Sequence, residues 1–173
     1  YCKNLDVKKG PAFRFHEIHS SRKNKRNSEK IVLLCLPMHF EDSREIINLA
    51  FKTRINSSYK FVIKPHPQQS IKEIQKKIDI SNNKKFIFSE DKLYNLFRSS
   101  KFVMTTASRT CLEAIIYGLR VAIVGSKNHL TKNNLNGIVN KNGWSVCYTP
   151  QDIKDFINSD NKKNKYDINK FFY

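Results

Sequence analysis

Short apolar runs alternate along this chain with longer segments in which apolar residues recur at helical spacing. Ile31–Leu36 and Val121–Val124 are apolar at every position, which is typical of strands buried on both faces of a parallel sheet. The runs predict strands at Ile31–Leu36, Lys60–Lys64, Lys85–Phe88, Phe102–Thr106, Arg120–Val124 and Ser145–Tyr148. The helical segments lie near Glu41–Ile55, Ser70–Ile78, Asp91–Ser99, Ser108–Tyr117 and Gln151–Ile157. This repeated order predicts an α/β fold with helices on both faces of a parallel sheet.

The two ends of the chain differ from this patterned middle. Residues 1–30 are polar and charged, and the run Ser20–Ser28 has no periodicity, which predicts a linker or interdomain segment. Residues 158–173 are rich in charge and Asn and predict a tail. We therefore expect one domain, over residues 31–157. Because the first residue is Tyr1 rather than Met, we also expect the chain to be part of a longer protein.

The chain carries 32 Lys and Arg against 15 Asp and Glu, a formal net charge of +17 at pH 7. With 39% hydrophobic and 12% aromatic residues, it is too apolar for a disordered polycation. Lys (24) outnumbers Arg (8), and Asn is frequent, a composition typical of AT-rich coding sequence. The charge is therefore either a solvated lysine surface or a surface that faces anionic ligands or anionic lipid.

The four cysteines form no C-x-x-C pair and have no spacing typical of a zinc site, and three of them fall in apolar segments. We predict buried free thiols in a reducing cytoplasm. No apolar run approaches the roughly 18–20 residues of a membrane span, and no signal segment is visible. We therefore predict a cytoplasmic protein that is either soluble or peripheral at the inner face of the plasma membrane. The cysteines are Cys2, Cys35, Cys111 and Cys147.

Ligands of open parallel sheets bind at the carboxyl edge of the strands, so the residues that follow each strand are the candidates for function. Lys64-Pro65-His66-Pro67 follows the second predicted strand. Its two prolines stiffen the loop around His66, whose imidazole could bind a phosphate oxygen while Lys64 adds charge. The alternative is a turn in which backbone groups satisfy the imidazole. His39, after the first predicted strand, is a further candidate for lining the crevice.

Hydroxyl residues follow the fourth predicted strand and run directly into a helix. The unpaired N–H groups and positive dipole of a helix start form an anion site, and Arg109 could add a guanidinium fork for a phosphate. The alternative is an ordinary helix start in which Ser108 caps the helix and the threonines bond local backbone. The candidate phosphate-binding residues of this junction are Thr105, Thr106, Ser108, Arg109 and Thr110.

Glu113 is the only acidic residue of the helix predicted over Ser108–Tyr117, and its neighbours are largely apolar. Because burial of an unpaired carboxylate costs several kcal/mol, we expect Glu113 at the mouth of the crevice. There it could accept hydrogen bonds from vicinal hydroxyls such as those of a ribose. The alternative is an ion pair with Arg109, one helical turn away.

The combination of these motifs resembles a known enzyme class. Lys64-Pro65-His66-Pro67, then Thr105–Ser108 with Glu113-Ala114 and Gly118 before the strand Val121–Val124, resembles the C-terminal, nucleotide-binding half of GT-B-fold glycosyltransferases. Within that class it is similar to bacterial surface and capsular polysaccharide enzymes with an HP motif and a Ser/Thr motif. These are CDP-glycerol glycerophosphotransferases and CMP-sugar-dependent sialyl- and polysialyltransferases. The resemblance covers roughly Ile31 to Ile157, with its specific motifs at about twenty positions, and implies a Rossmann-like sheet.

The resemblance implies a role for each matched residue. His66 would contact the donor phosphate and stabilise the departing nucleotide as the catalytic residue, and Pro67 would shape its loop. Glu113 would contact the ribose or base. The hydroxyl groups of Thr105, Thr106 and Ser108 would hold the same phosphate. Lys64 and Arg109 would be supporting cations.

The resemblance also implies the substrates. The donor would be linked to CMP, CDP or UDP, with no further cofactor. The implied transfer is independent of a metal, with positive charge and helix-end dipoles stabilising the leaving phosphate. In keeping with that, the sequence has no Asp-x-Asp that could hold a metal. A saccharide or lipid-linked acceptor would bind through an N-terminal half that this chain lacks, so the isolated domain is expected to be inactive.

Two other functions stay open. A non-catalytic nucleic-acid-binding module would use the +17 charge, although the sequence has no recognition motif and its lysines are spread along the chain. We therefore expect no specific nucleic-acid partner. A sugar-nucleotide 2-epimerase shares the GT-B domain, but its crevice usually carries further acids and histidines that this sequence lacks.

Overall fold

The computed structural model describes residues 30–159, except 56–57, 81–82, 127–129, 132, 134 and 137–142. Six parallel strands form one sheet in the order β3-β2-β1-β4-β5-β6. The strands are β1 (Ile31–Cys35), β2 (Lys60–Lys64), β3 (Phe86–Phe88), β4 (Phe102–Thr105), β5 (Arg120–Val124) and β6 (Trp144–Cys147). The predicted strands are confirmed, because each predicted end lies within one residue of the observed one.

Helices cover both faces of the sheet. The described helices are α1 (Phe40–Lys52), α2 (Ile71–Lys77), α3 (Leu93–Ser99), α4 (Arg109–Tyr117) and α5 (Pro150–Asn158). Along β1, Val32 and Leu34 pack in the core with α1, α2 and α5, whereas Leu33 and Cys35 pack in the core with α3 and α4. Because alternate residues of the same strand enter two cores, the predicted Rossmann-like α/β fold is confirmed.

The predicted end of α1 at Ile55 is wrong, because the helix ends at Lys52. The hydroxyl group of Thr53 donates to the carbonyl oxygen of Leu49 at 2.6 Å. Arg54 then adopts a left-handed backbone conformation with φ of 43°, which does not continue a right-handed helix. The last turn of α1 is therefore closed by local hydrogen bonding three residues earlier than periodicity indicates.

The order of the strands creates a crevice at the carboxyl edge. The chain places β2 and β3 on one side of β1 and then returns to its other side with β4. At such a switch point the connections leave toward opposite faces and a crevice opens between them. The register sets Cys35 beside Lys64, and Leu34 beside Met104. The segments that follow β1, β2 and β4 therefore meet at one edge.

Residues 1–29 and 160–173 lie outside the described residues, so the linker and the tail stay predictions. Cys35, Cys111 and Cys147 are buried and free, as predicted, while Cys2 lies in the part not described. Among the described residues, no helix has the length and apolar character needed to cross a membrane.

Candidate functional site

The segment after β2 forms a tight turn that begins at His66. The backbone N–H of Gln69 donates to the carbonyl oxygen of His66 at 2.8 Å, which closes a four-residue turn. Pro67 occupies the second position of this turn, where the fixed φ of proline is favoured. Pro65 is buried, so the turn follows directly from a packed residue. The prolines thus place His66 in a defined loop at the strand end.

The hydrogen bonds of His66 define which ring nitrogen carries the proton. Nδ1 of His66 accepts a hydrogen bond from the backbone N–H of Gln68 at 3.3 Å. Because a neutral imidazole has one protonated nitrogen, this bond assigns the proton to Nε2. Backbone therefore satisfies Nδ1, as one alternative predicted, and Nε2 is the nitrogen that can donate to a ligand.

Side chains tie this turn to the connections on both sides. On one side, Nε2 of Gln69 donates to the carbonyl oxygen of Met38, after β1, at 2.8 Å. On the other side, Nζ of Lys64 donates to the carbonyl oxygen of Glu90, between β3 and α3, at 2.9 Å. The ammonium group of Lys64, predicted as a supporting phosphate cation, is therefore directed toward the segment after β3.

The segment between β4 and α4 presents hydroxyl groups beside an uncapped helix end. Ser108 is the N-cap residue of α4, but its side chain makes no capping hydrogen bond. Its hydroxyl oxygen lies 3.5 Å from Oγ1 of Thr105, and Sγ of Cys111 donates to the carbonyl oxygen of Thr106 at 3.1 Å. The alternative in which the Ser108 side chain caps the helix is therefore wrong. The positive end of α4 lies at the carboxyl edge with hydroxyls around it.

The residues of this segment differ in how far their side chains are exposed to solvent. Thr105 is only 1% exposed, so its hydroxyl contacts Ser108 rather than the open crevice. Thr106, Ser108 and Thr110 are half-buried, whereas Arg109 is exposed. The half-buried hydroxyls and the Arg109 guanidinium are the groups of this segment that a ligand can reach.

Glu113 lies deeper than expected. It is 5% exposed rather than open at the mouth of the crevice, because α4 is buried on most of its sides. Burial raises the pKa of the Cys35 thiol at the end of β1, and Cys111 and Glu113 raise it further, while Lys64 lowers it. Glu113 and Lys64 thus both act electrostatically on the sulfur at the end of β1.

His39 is the N-cap residue of α1 and is exposed at the same edge. Because β1 lies between β2 and β4 and adjacent strands are about 4.8 Å apart, the ends of β2 and β4 lie about 10 Å apart. The structure therefore brings the predicted residues to one edge. They are His39 after β1, Lys64, His66 and Pro67 at the end of β2, and Thr105, Thr106, Ser108, Arg109, Thr110 and Glu113 at the end of β4 and in α4.

A second depression at this edge contains none of the predicted residues. It is an open groove of about 180 Å³ between α1 and the ends of β5 and β6. Tyr148 is 46% exposed there and its ring lies against Gly125. The sequence signal that could have indicated it is a glycine directly after a buried strand. The groove is lined by Glu45, Asn48, Leu49, Lys52, Val124, Gly125, Tyr148 and Pro150.

Solved structures of other proteins share this fold. A Listeria monocytogenes protein described as a UDP-N-acetylglucosamine 2-epimerase has a TM-score of 0.57 and 15% identity, over 91% of this chain. The wall teichoic acid polymerase TagF has a TM-score of 0.52 and 14% identity, over 82% of this chain. The C-terminal domain of LpcC, a glycosyl transferase group 1 family protein of Francisella tularensis, has a TM-score of 0.51 and 17% identity, over 86%. At these identities, the similarity shows the fold.

The chain spans 42% of the Listeria protein and 37% of TagF, but 83% of the LpcC domain. Its described part therefore corresponds in extent to one domain of such proteins. No family model matches the sequence, and no curated protein matches it.

Proposed function

We propose that this chain is the donor-nucleotide-binding domain of a GT-B-type transferase in bacterial surface polysaccharide biosynthesis. The observation that carries the proposal is the pairing of two donor groups on either side of β1. Nδ1 of His66 accepts a hydrogen bond at the end of β2, which leaves Nε2 to donate, and the Ser108 side chain makes no capping hydrogen bond at the start of α4. A phosphate between them would accept hydrogen bonds from the imidazole on one side and from the helix end on the other. The fold shared with TagF and LpcC supports a domain of this kind.

The same groups suit the chemistry of donor cleavage. When the bond between the transferred group and the nucleotide phosphate breaks, negative charge grows on the departing phosphate. His66, the first-turn N–H groups of α4 and the exposed Arg109 would stabilise that charge in place of a divalent cation. The nucleotide, linked through CMP, CDP or UDP, is part of the substrate, so no further cofactor is needed.

The remaining predicted residues have supporting roles in this proposal. The Glu113 carboxylate would accept hydrogen bonds from ribose hydroxyls, and its burial would strengthen them. A saccharide or lipid-linked acceptor would bind to another domain of the enzyme. The +17 charge would keep the enzyme at the anionic inner face of the plasma membrane.

Nucleotide binding in the presence of EDTA tests the proposal. We expect the 173-residue chain to bind CMP, CDP or UDP by calorimetry. We also expect the preferred nucleotide to stabilise the fold by about 2.7 kcal/mol at 100 times its Kd. The matching nucleoside should bind more weakly, because it lacks the phosphate. Equal affinity for nucleoside and nucleotide, or no binding of any of the three, would contradict a phosphate site.

A sugar-nucleotide 2-epimerase is a second candidate, favoured by the fold shared with the Listeria protein. It would use the same nucleotide site, so binding does not separate it from a transferase. The full-length enzyme separates them, because an epimerase interconverts UDP-linked sugars without an acceptor.

The +17 charge favours the nucleic-acid alternative, which a DNA titration tests. Strong binding that falls steeply between about 50 and 200 mM salt, without stabilisation by nucleotides, would support that alternative.

A further inference from the structure

We propose that Gln69 is a positioning residue of the donor-phosphate site, which keeps the His66 imidazole in one orientation relative to the segment after β1. This inference rests on the proposed binding of phosphate at His66. It is carried by the hydrogen bonds of Gln69, which lies outside the Lys64–Pro67 motif.

Gln69 connects the turn to its neighbour through both its backbone and its side chain. Its backbone N–H donates to the His66 carbonyl at 2.8 Å and closes the turn. Its side-chain Nε2 donates to the Met38 carbonyl at 2.8 Å. Within the closed turn, the Gln68 N–H donates to Nδ1 of His66 at 3.3 Å. One residue therefore links the orientation of the imidazole to the connection that follows β1.

The oxygen of the Gln69 side-chain amide also has a hydrogen-bond partner. Oε1 of Gln69 lies 3.3 Å from Oγ of Ser43, a buried residue in α1. The Ser43 hydroxyl has one proton, which it shares between this oxygen and the carbonyls of Pro37 and His39, each at 3.1 Å. Because the Met38 carbonyl can only accept, the amide nitrogen must face Met38. A glutamate at this position could not make that bond.

This linkage holds the His66 turn to the segment after β1, the strand that lies between the two proposed donor groups. A phosphate held between the His66 turn and the end of α4 requires both to keep their separation. The side chain of Lys64 hydrogen-bonds to the segment after β3, and the side chain of Gln69 hydrogen-bonds to the segment after β1. Gln69 is half-buried and belongs to neither apolar core. Its loss should therefore affect the site more than the stability of the fold.

A double-mutant cycle on CDP binding by the 173-residue chain tests the inference. Gln69→Ala and Gln69→Glu should each weaken binding by roughly three- to tenfold, the range expected for one lost hydrogen bond. Gln68→Glu, which adds the same charge at an exposed neighbour, should have the smaller effect. In a His66→Ala background, Gln69→Ala should cause no further loss. Equal losses in the two backgrounds would overturn the inference.

NMR of the chain without nucleotide gives a second readout that does not depend on the proposed function. Gln69→Ala should speed exchange of the Gln68 amide proton and shift the His66 ring signals, while the thermal midpoint stays near that of the wild type. Unchanged Gln68 and His66 signals would overturn the inference. If these signals change but the wild type binds no nucleotide, the positioning role stands and the proposed function fails.

Discussion

The ring of Tyr148 lies directly against Gly125, where β5 and β6 end. A Cβ atom on Gly125 would lie 2.6 Å from Cδ1 and 2.7 Å from Cζ of the ring. Both distances are shorter than any ordinary contact between carbon atoms, so an added methyl group must displace the ring. Because the exposed ring can turn toward solvent, we expect Gly125→Ala to lower the free energy of unfolding by no more than about 1 kcal/mol. Urea unfolding followed by circular dichroism measures this change.

Tyr148→Ala supplies the control, because the overlap requires the ring. Gly125 does not have a positive φ, so alanine adds no backbone strain there. In the Tyr148→Ala background, Gly125→Ala should be neutral or should stabilise the fold by up to about 1 kcal/mol, since alanine loses less backbone entropy. The same loss in both backgrounds would show that the ring is not the cause.

Arg120 lies against two aromatic rings at the amino end of β5 and joins α5 to the sheet. Its Cζ lies 4.3 Å from the ring centroid of Phe156 and 5.4 Å from that of Phe102, and Nη2 donates to Oγ of Ser159 at 2.8 Å. Arg120→Lys keeps the charge but loses the planar group that stacks on the rings. We expect it to lower the free energy of unfolding by about 1–2 kcal/mol.

Lys101 offers a matched control for Arg120. Its Nζ lies 5.5 Å from the centroid of the same Phe102 ring. Because its contact with Phe102 is longer than that of Arg120 with Phe156, Lys101→Met should cost less than about 0.5 kcal/mol. If both substitutions cost the same in urea unfolding, the contacts of Arg120 with the two rings are not what stabilises α5.

Because three thiols are buried, the free energy of unfolding should fall at alkaline pH. Burial raises the pKa of Cys111 to about 11 and of Cys147 to about 12, from an ordinary value of 9.0, and raises that of Cys35 further. A thiol with a higher pKa in the folded chain stabilises it fully below about pH 9. That contribution is lost as the pH rises toward the folded-state pKa values.

Comparison of two pH values measures this effect. We expect the free energy of unfolding under reducing conditions to fall between about pH 8 and about pH 10.5, and to fall less in Cys147→Ala than in the wild type. The difference between the two slopes isolates the thiol from the lysines, which titrate in both proteins. Parallel slopes would show that Cys147 does not titrate differently on unfolding.

Burial on both faces is the reason that the strands could be predicted from the sequence. Val121–Val124 is apolar throughout because its residues enter both cores, so the pattern reports the packing directly. The end of α1 could not be predicted from the pattern of apolar residues. It depends on one hydrogen bond of Thr53 and on the conformation of Arg54, which apolar periodicity does not encode.

In the candidate site, too, the positions of some residues could be predicted from the sequence and those of others could not. The placement of His66 and Ser108 at the carboxyl edge of the sheet could be predicted because each follows a predicted strand. Gln69 was missed because its partner, Met38, is 31 residues away along the chain and the contact exists only after the sheet forms. Tyr148 and the groove beside Gly125 were missed for the same reason. The position of each candidate residue relative to a strand end could be predicted from the sequence, whereas contacts between the segments that follow different strands could not.

Substitution of His66 tests the proposed phosphate contact most directly. His66→Ala should weaken CDP binding by about tenfold or more. It should change the free energy of unfolding little, because the side chain is half-exposed. In the proposed transferase, turnover should fall by orders of magnitude, since charge on the departing phosphate would grow in the transition state. Calorimetry, urea unfolding and a steady-state assay measure the three effects.

Two amide substitutions distinguish the ring nitrogens of His66. The side-chain nitrogen of His66→Gln reaches about as far as Nε2, whereas that of His66→Asn reaches only about as far as Nδ1. Because the Gln68 N–H occupies Nδ1, Nε2 is the nitrogen that donates. His66→Gln should therefore retain more CDP affinity than His66→Asn, and both should bind cytidine like the wild type. The reverse order for CDP would contradict the assigned tautomer, and a parallel loss of cytidine binding would place His66 away from the phosphate.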